Sequence, residues 1–262
     1  MGDDLSRSSQ SSKGLDYGVD APGLVRFFLV AGAVAAGVFL IASVALGDGV
    51  WLKFVVKEMT AVAALYLVGM GCLMLYWSKV VKVRERERAL DLIKWRGDER
   101  VLDVGCGRGL MMIGAALRLT TGRAIGIDIW AAKDQSANSP GGARDNAVKA
   151  AVAGKVEVLT ADMRNLPFND QSFDVVVSHW VVHNLEKEAD RILALREMTR
   201  VLRPGGGLIL CDIEHREAYL TRLRALGLSD CQMMFSPLKD AVLGALSFGS
   251  FRPTTIFARA PA

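Results

Sequence analysis

Two long stretches without a single charged residue constrain this chain more than any other feature. They cover residues 27–46 and 59–77. Each is close to the roughly 20 apolar residues that a helix needs to cross the core of a bilayer. Charged residues recur every few positions from Lys79 onward. The sequence therefore predicts a transmembrane helical hairpin followed by a domain that faces water.

Two alternatives to this hairpin stay open. A pair of buried helices in a soluble protein is disfavoured, because such helices normally keep a polar face. A secretory signal is the other alternative, since Ser43-Val44-Ala45 resembles a cleavage site. The 26 residues before the first apolar run hold three basic and four acidic residues, however, so they lack the positive charge of a signal peptide, and the run is too long for a typical signal core. Gly32, Ala33, Ala36 and Gly37 would let the two helices pack closely.

The orientation of the hairpin follows from the residues after the second apolar run. Cytoplasmic flanks of transmembrane helices carry an excess of Lys and Arg. Here a basic group directly follows the run, namely Lys79, Lys82, Arg84, Arg86 and Arg88. The sequence predicts a membrane protein with two spans whose N-terminus and C-terminal domain are both cytoplasmic.

The 262 residues divide into four predicted segments. Residues 1–23 are rich in Ser, Asp and Gly and are predicted to be a disordered tail. Residues 24–78 hold the two transmembrane helices, and residues 79–96 form a basic linker and helix. Residues 97–262 are long enough for one α/β catalytic domain. The net charge of +4 is too mild to indicate nucleic-acid binding.

Short apolar strands alternate with helices from residue 85 onward. Such alternation is typical of a parallel sheet with helices on both faces. The predicted strands are 101–105, 124–128, 156–160, 175–178 and 207–212, and the predicted helices are 86–95, 110–119, 143–153 and 187–202. The four cysteines form no CxxC pair, and we interpret them as reduced and structural.

The strongest local motif is the sequence VLDVGCGRG at residues 101–109. A buried strand enters a glycine-rich turn and then a helix, whose first backbone N–H groups are open to a ligand. This spacing by itself indicates only a nucleotide-like cofactor. Asp128 ends the next strand, where an acid can accept hydrogen bonds from ribose hydroxyls.

Further motifs follow in order: Asp162-Met163 after the third strand, FDVVVS at 173–178, and LRPGGGL at 202–208. Together with the glycine turn and Asp128, they make residues 97–215 resemble the class I S-adenosylmethionine (SAM)-dependent methyltransferases. The similarity is greatest to the small-molecule branch of the ubiquinone/menaquinone-biosynthesis type. It implies SAM as cofactor and a Rossmann-like α/β fold with a mostly parallel seven-stranded sheet. It is weaker over 216–262 and absent over 1–84.

The resemblance also implies roles for individual residues. The acid and glycines of the first motif would hold the methionine part of SAM, and Asp128 would hold the ribose. Asp162 would meet the adenine amino group with Met163 beside the ring, and Ser178 and His179 would line the pocket near the transferred methyl. The predicted cofactor-binding residues are thus Asp103, Gly105, Gly107, Gly109, Asp128, Asp162, Met163 and Ser178.

A general base is needed only if the methyl acceptor must lose a proton. All three histidines fall near the expected pocket, and histidine is the usual base at neutral pH. His183 is the first candidate for the catalytic base and His179 the second, while His215 follows the fifth strand. His179 and His183 are also spaced for a metal pair, but no third ligand is evident, so no metal is predicted.

The acceptor is predicted to be a small, apolar molecule, because a membrane-anchored enzyme would meet such molecules in the lipid. The residues at 233–235 and the apolar helix 238–248 could form the wall of its pocket or simply belong to the core. The loop 130–140 is predicted to lie at the mouth of the site. A non-catalytic SAM-binding scaffold or sensor is the alternative function, and a Rossmann oxidoreductase is a weaker one. The sequence indicates neither the acceptor atom nor the oligomeric state.

Overall fold

The computed structural model describes residues 14–45, 51–131 and 134–262. The chain divides into two compact units. The hairpin unit comprises Gly18–Lys82 and Ala131–Ala137, and the sheet unit comprises the residues up to Tyr17 together with Val83–Trp130 and Asn138–Ala262.

The hairpin unit is built from two long helices, α1 (Pro22–Ala45) and α2 (Trp51–Tyr76), followed by a π-helical turn, Trp77–Val81. Both α1 and the helical segment Lys53–Leu90 are long and apolar enough to cross a membrane. Only 11% and 6% of their most apolar windows are buried, whereas the core helix of a soluble protein is mostly buried. The second predicted span, 59–77, corresponds to the later part of α2 and the start of the turn. The predicted outer loop at 47–49 lies outside the described residues.

Glycines allow the two apolar helices to approach each other closely. A Cβ on Gly32 would lie 2.7 Å from Cγ2 of Val68, and one on Gly71 would lie 2.6 Å from Cδ2 of Leu29. Each glycine therefore lets the backbone of one helix approach a side chain of the other. A Cβ on Gly37 would meet nothing within 4 Å. The predicted role of Gly32 is confirmed, that of Gly37 is wrong, and Gly71 was missed.

A buried ion pair joins the two ends of the hairpin unit. The Lys82 side chain is only 1% exposed, and its Nζ lies 3.0 Å from Oδ2 of Asp20. Ser78 Oγ donates a hydrogen bond to the same carboxylate oxygen at 3.1 Å. Removing Asp20 would leave the buried Lys82 ammonium without its carboxylate, and an uncompensated buried charge destabilises a fold.

The sheet unit contains seven strands in the order β3-β2-β1-β4-β5-β7-β6. All neighbouring strands are parallel except β7, which is antiparallel to β5 and β6. The predicted fold is therefore confirmed. The strands are β1 (Arg100–Val104), β2 (Arg123–Asp128), β3 (Val156–Thr160), β4 (Phe173–His179), β5 (Leu202–Asp212), β6 (Ser229–Met234) and β7 (Thr254–Arg259). The helices are α3 (Lys82–Leu90), α4 (Leu110–Ala116), α5 (Pro140–Lys149), α6 (Glu188–Arg200), α7 (Arg216–Ala225) and α8 (Pro237–Leu246).

Helices cover both faces of this sheet, so successive strand residues belong to different apolar clusters. In β1, Val101 packs in one cluster with Met111 of α4, and Leu102 packs in the other with Leu195 of α6. This follows from the alternation of side chains along a strand. Because β1, β4 and β5 are parallel neighbours, their carboxyl ends meet at one edge, where α/β folds collect ligands.

Two segments before β1 contribute to the core of the sheet unit. The basic linker and helix predicted at 79–96 includes α3, whose Ala89 and Leu90 are 2% and 0% exposed in that core. Of the predicted disordered tail, residues 1–13 lie outside the described residues. Tyr17, however, is only 4% exposed and packs into the same core. An aromatic ring in a charged, Ser-rich stretch was too weak a signal to predict this.

Candidate active site

The glycine turn between β1 and α4 has a backbone that only glycine adopts without strain. Gly105 has a φ of +74°, and a Cβ there would lie 2.5 Å from Cγ1 of Val181. Gly109 has a φ of +87° and stands at the N-cap of α4. Because neither position carries a side chain, the backbone of the turn is open to close approach by a cofactor at the carboxyl edge of the sheet.

Asp103 lies beneath this turn and carries an unsatisfied oxygen. The residue is 1% exposed, and its Oδ2 accepts a hydrogen bond from the Met112 N–H at 2.8 Å. Its Oδ1 is buried and has no hydrogen-bond partner among the described residues. Burial raises the pKa of the Asp103 carboxyl to about 7, and the charge of Asp128 adds to the increase. A cationic group of a ligand would be the best hydrogen-bond donor to such an oxygen. The ammonium group of SAM meets this requirement.

Asp128 ends β2 beside the glycine turn. Its Oδ2 accepts the Gly107 N–H at 2.9 Å, and its Oδ1 accepts the Trp130 N–H at 2.6 Å. The side-chain nitrogen of Asn138 lies 3.4 Å from the same Oδ1. Three groups therefore fix the orientation of this carboxylate, and Oδ2, which accepts one of these hydrogen bonds, keeps a second lone pair for a ribose hydroxyl.

Asp162 and Met163 follow β3 but differ in environment. Asp162 forms a salt bridge of 2.6 Å with Arg164, which also contacts Asp190 at 3.1 Å. The hydrogen bonds from Arg164 lower the pKa of the Asp162 carboxyl. Met163 is 8% exposed and packs in the apolar cluster that contains Leu102 and Leu195. The assignment of these two residues to the adenine stays a prediction.

Ser178, His179 and Trp180 mark the end of β4. The Ser178 hydroxyl is buried and donates to the carbonyl of Val104 at 2.9 Å, so it ties β4 to β1. His179 stacks on Trp180 with ring centroids 4.8 Å apart. Trp180 has a φ of +54°, a conformation that bulky side chains rarely adopt. The predicted cofactor role of Ser178 stays a prediction beside this structural one.

His183 lies in a short 3₁₀ turn, Val182–Asn184, directly after β4. Its ring Nδ1 is 2.5 Å from Oδ1 of Asp212, and its backbone N–H donates to Oδ2 of the same carboxylate at 3.1 Å. Asp212 is 3% exposed and ends β5, the parallel neighbour of β4. The sequence interpretation placed Asp212 only as the end of a strand and missed this pairing.

The third histidine has a different setting. His215 precedes α7, and its Nε2 lies 3.6 Å from the carboxylate of Glu214, with about a third of its side chain exposed. Among the described residues, no group of three or more His, Cys, Asp or Glu side chains could hold a metal ion. All four cysteines are free thiols. The arrangement is therefore an aspartate–histidine pair on the edge of the sheet that also carries the glycine turn.

Residues 102–210 match the methyltransferase domain family. This match and the strand order of the sheet unit agree with the fold of the class I SAM-dependent methyltransferases. The matched region begins in β1 and ends within β5, so it includes the glycine turn, Asp128 and His183. SAM is accordingly the cofactor that this domain is built to hold.

Curated relatives of this chain have methyltransferase names. The chain is 37% identical over 132 residues to 27-O-demethylrifamycin SV methyltransferase of Amycolatopsis mediterranei, covering 49% of this chain and 44% of that protein. It is 36% identical over 125 residues to the ubiquinone/menaquinone biosynthesis C-methyltransferase of Pseudomonas fluorescens, covering 47% and 45%. The chain thus spans less than half the length of these relatives. The similarity is confined to the domain that carries the cofactor site.

Solved structures share the fold at lower identity. A SAM-dependent methyltransferase from Aquifex aeolicus is 18% identical, with a TM-score of 0.53 over 68% of this chain and 91% of that one. The geranyl diphosphate C-methyltransferase from Streptomyces coelicolor is 17% identical, with a TM-score of 0.53 over 78% and 83%. At this identity the likeness establishes the fold alone.

Proposed function

We propose that this protein transfers a methyl group from SAM to a small, apolar acceptor and that its hairpin unit is inserted in a membrane. The methyltransferase domain and its methyltransferase-named relatives support the reaction class. The two exposed apolar helices support the anchor. The basic residues from Lys79 to Arg88 favour a cytoplasmic position for the domain.

The pairing of His183 with Asp212 is the observation that carries the chemical part of the proposal. With Nδ1 donating to Asp212, the neutral imidazole has its lone pair on Nε2. When SAM is bound, its sulfonium supplies an already activated methyl group, so alignment of the acceptor provides much of the rate. His183 would take the proton that a hydroxyl acceptor loses as its oxygen bonds to the methyl carbon. The carbon–sulfur bond breaks in the same displacement, and its electron pair stays on sulfur.

Asp212 would act on this reaction through the histidine. It is buried and touches both the ring and the main chain of His183, so it fixes the tautomer and the direction of the ring. It also stabilises the imidazolium that forms when the proton arrives. An acceptor with an ionisable hydroxyl therefore fits this site better than one that has no proton to lose.

Apolar side chains on the sheet unit support a lipophilic acceptor. Phe235, Leu238 and Val242 are 43%, 75% and 49% exposed, although they lie in and beside a well-formed helix, α8. Exposed apolar groups of this size commonly mark a surface that meets another apolar body. These exposures favour the predicted role of 233–248 as a wall of the acceptor pocket over a place in the core.

The test is a methyl-transfer assay on the intact system. Membranes that contain the full-length protein are incubated with labelled SAM and a lipid extract, and labelled products are identified by chromatography and mass spectrometry. We expect an apolar product that carries one added methyl group. Membranes that contain the His183→Ala variant should not form this product. SAM binding without transfer across a broad set of lipid extracts would contradict the proposal and favour a non-catalytic SAM-binding scaffold.

A further inference from the structure

Two loops frame Asp128, and both are hydrogen-bonded to the same short segment of chain. The first is the glycine turn 105–109, and the second follows β2 and is described at residues 129–131 and 134–139. The segment is residues 16–21, which leads directly into the first apolar helix at Pro22 and is here called the clasp. These residues fall within the predicted disordered tail, 1–23.

Within the sheet unit, the clasp binds the glycine turn through its first residue. The Arg108 guanidinium donates from Nε to the Asp16 carbonyl at 2.6 Å. The Asn146 side chain, whose residue is fully buried in α5, donates to that carbonyl at 2.8 Å and to the Arg108 carbonyl at 3.0 Å. Its Oδ1 accepts the Asp16 N–H at 3.2 Å. One buried amide therefore joins the clasp to the cofactor turn.

Tyr17 holds this part of the clasp in place. Its ring is 4% exposed within the core of the sheet unit. The phenol oxygen accepts a hydrogen bond from Arg86 Nη1 at 3.0 Å, and the Arg86 guanidinium lies 5.6 Å from the ring centroid. Burial of an aromatic ring is among the larger stabilising contributions that one residue makes. Asp16 is thus fixed by its neighbour as well as by its own bonds.

Within the hairpin unit, the other end of the clasp pairs with the loop after β2. The Val19 N–H donates to Ser136 Oγ at 2.8 Å, and the Ser136 N–H donates to the Val19 carbonyl at 3.0 Å. The Ala21 N–H donates to the Asp134 carbonyl at 3.0 Å. This is a short antiparallel pairing, and the Asp20–Lys82 ion pair fixes its clasp side.

The ends of the same loop reach the cofactor acid. Trp130, just before the paired residues, donates its N–H to Asp128 Oδ1 at 2.6 Å, and the Asn138 side-chain nitrogen, just after them, lies 3.4 Å from the same oxygen. Ser136 lies two residues before Asn138. Fixing Ser136 therefore limits the freedom of the Asn138 side chain, which helps to orient Asp128.

We propose that the clasp is a positioning element of the SAM site, with Tyr17 and Asp20 as its two fixing residues. The inference rests on the proposed function in that SAM is the ligand. Neither residue contacts the cofactor in this proposal. Each restricts the two loops before SAM binds, so that less conformational entropy is lost on binding. Because the clasp leads into α1, the affinity for SAM depends on the segment that ties the domain to its apolar helices.

The first test measures SAM affinity by calorimetry on full-length protein in lipid nanodiscs. Tyr17→Ala and Asp20→Ala are each expected to raise the Kd for SAM about tenfold. At saturating SAM, kcat and the KM for the acceptor are expected to stay within about twofold. Tyr17→Phe keeps the buried ring and should restore most of the affinity. The matched control is Asp170→Ala, which removes an exposed carboxylate paired with Arg200 and should bind SAM like the wild type.

The second test uses hydrogen exchange on the wild type and needs no variant. Coupling between two sites is reciprocal, so SAM must stabilise the clasp by the factor by which the clasp improves SAM binding. Backbone amides of Asp16, Val19 and Ala21 should exchange about tenfold more slowly with SAM bound. A clasp with a merely structural role would exchange at the same rate with and without the cofactor.

The outcomes separate the two proposals. If Tyr17→Ala and Asp20→Ala bind SAM like the wild type while Asp128→Ala binds it weakly, the clasp inference is wrong and the proposed function stands. If the wild type binds no SAM, the proposed function itself fails. Should either variant not fold, Ser136→Ala replaces it, since it removes a single acceptor from a partly exposed loop. An unchanged Kd in that variant, together with unchanged exchange rates, also overturns the inference.

Discussion

Asp212 accepts hydrogen bonds from both the ring Nδ1 and the backbone N–H of His183, at 2.5 and 3.1 Å. The carboxylate also accepts the Ile213 N–H at 2.9 Å, which fixes it at the end of β5. The histidine is therefore held at two points by a buried acid on the neighbouring strand. This geometry distinguishes His183 from the other two histidines of the chain.

The first prediction concerns this pair. His183→Ala should lower kcat by about 10²–10⁴-fold, the usual contribution of a general base, while the Kd for SAM stays near the wild-type value. Asp212→Asn should also lower kcat, by about tenfold or more, because an amide neither fixes the tautomer nor stabilises the imidazolium. Steady-state kinetics together with calorimetry of SAM binding separate the two effects.

His215→Ala is the matched control for that prediction, because His215 contacts the partly exposed Glu214 instead of a buried acid. It should keep nearly full activity. His179→Ala is tested in parallel, since His179 is the second candidate for the base and stacks on Trp180. If neither His183→Ala nor His179→Ala changes turnover by more than a few-fold, proximity alone drives the reaction, and the acceptor is a carbon or sulfur nucleophile.

The second prediction concerns the ribose. Asp128→Ala removes charge-assisted hydrogen bonds that are worth about 1.5–3 kcal/mol each. The affinity for SAM should therefore fall by about tenfold or more, since 1.4 kcal/mol corresponds to tenfold. The variant also leaves the Gly107 and Trp130 amides without their acceptor, which adds to the loss. Unchanged affinity in a folded variant, measured by calorimetry, would refute the assignment.

The third prediction follows from the buried Asp103 carboxyl. Burial raises its pKa from 3.8 in the unfolded chain to about 7 in the fold, so the folded state binds this proton more tightly. The contribution of Asp103 to the free energy of unfolding therefore decreases as the pH rises from about 4 to about 7. The total change is on the order of 4 kcal/mol, at 1.36 kcal/mol for each pKa unit.

Asp103→Asn has no such proton to lose and serves as the comparison. The thermal unfolding midpoint of the wild type, relative to that of the variant, should fall between pH 4 and pH 7 when neither protein has cofactor. A cationic group beside the carboxylate would lower its pKa, so SAM binding near pH 7 should release a fraction of a proton. Calorimetry in two buffers of different ionisation enthalpy measures that release, and a parallel pH dependence of both proteins would contradict the assignment.

The fourth prediction concerns the anchor. The full-length protein should stay with membranes through a carbonate wash, because α1 and the helix that follows it are long, apolar and exposed. Immunoblots of the pellet and supernatant give the measurement, with a peripheral membrane protein as the control. A full-length chain that remains soluble without detergent would rule the anchor out. The sequence also predicts that a chain starting near Val83 is soluble and binds SAM. Such a chain lacks Tyr17, so we expect it to bind SAM more weakly than the full-length protein does.

The fifth prediction concerns the packing of the two apolar helices. Gly32→Val should lower the thermal stability of the hairpin unit, because even a Cβ at this position would lie 3.0 Å from the Val68 backbone nitrogen and closer to its side chain. Gly37→Val is the matched control, since a Cβ there meets nothing within 4 Å. Thermal unfolding in detergent micelles should separate the two variants. Equal midpoints would show that the helices do not rely on this approach.

The class of the fold could be predicted from the sequence because its signals are local. An apolar strand followed by glycines specifies the turn at 105–109 from the backbone requirements of those few residues alone. The third strand, 156–160, was placed with its observed bounds, and Asp128 was placed at the end of its strand. The strand at 173–179 and the strand at 202–212 were both predicted too short, because tertiary pairing extends a strand beyond its apolar centre.

The partners of the candidate site residues depended on the tertiary structure. Asp212 and His183 are separated by 29 positions, and only the parallel alignment of β4 with β5 brings them together. The ion pair of Asp20 with Lys82 and the contact of Asp16 with Arg108 span still longer stretches. The sequence by itself determined which residues can turn, donate and accept. The tertiary structure determined which of these residues are in contact. Contacts between distant residues depend on strand register and packing, which a local sequence pattern does not specify.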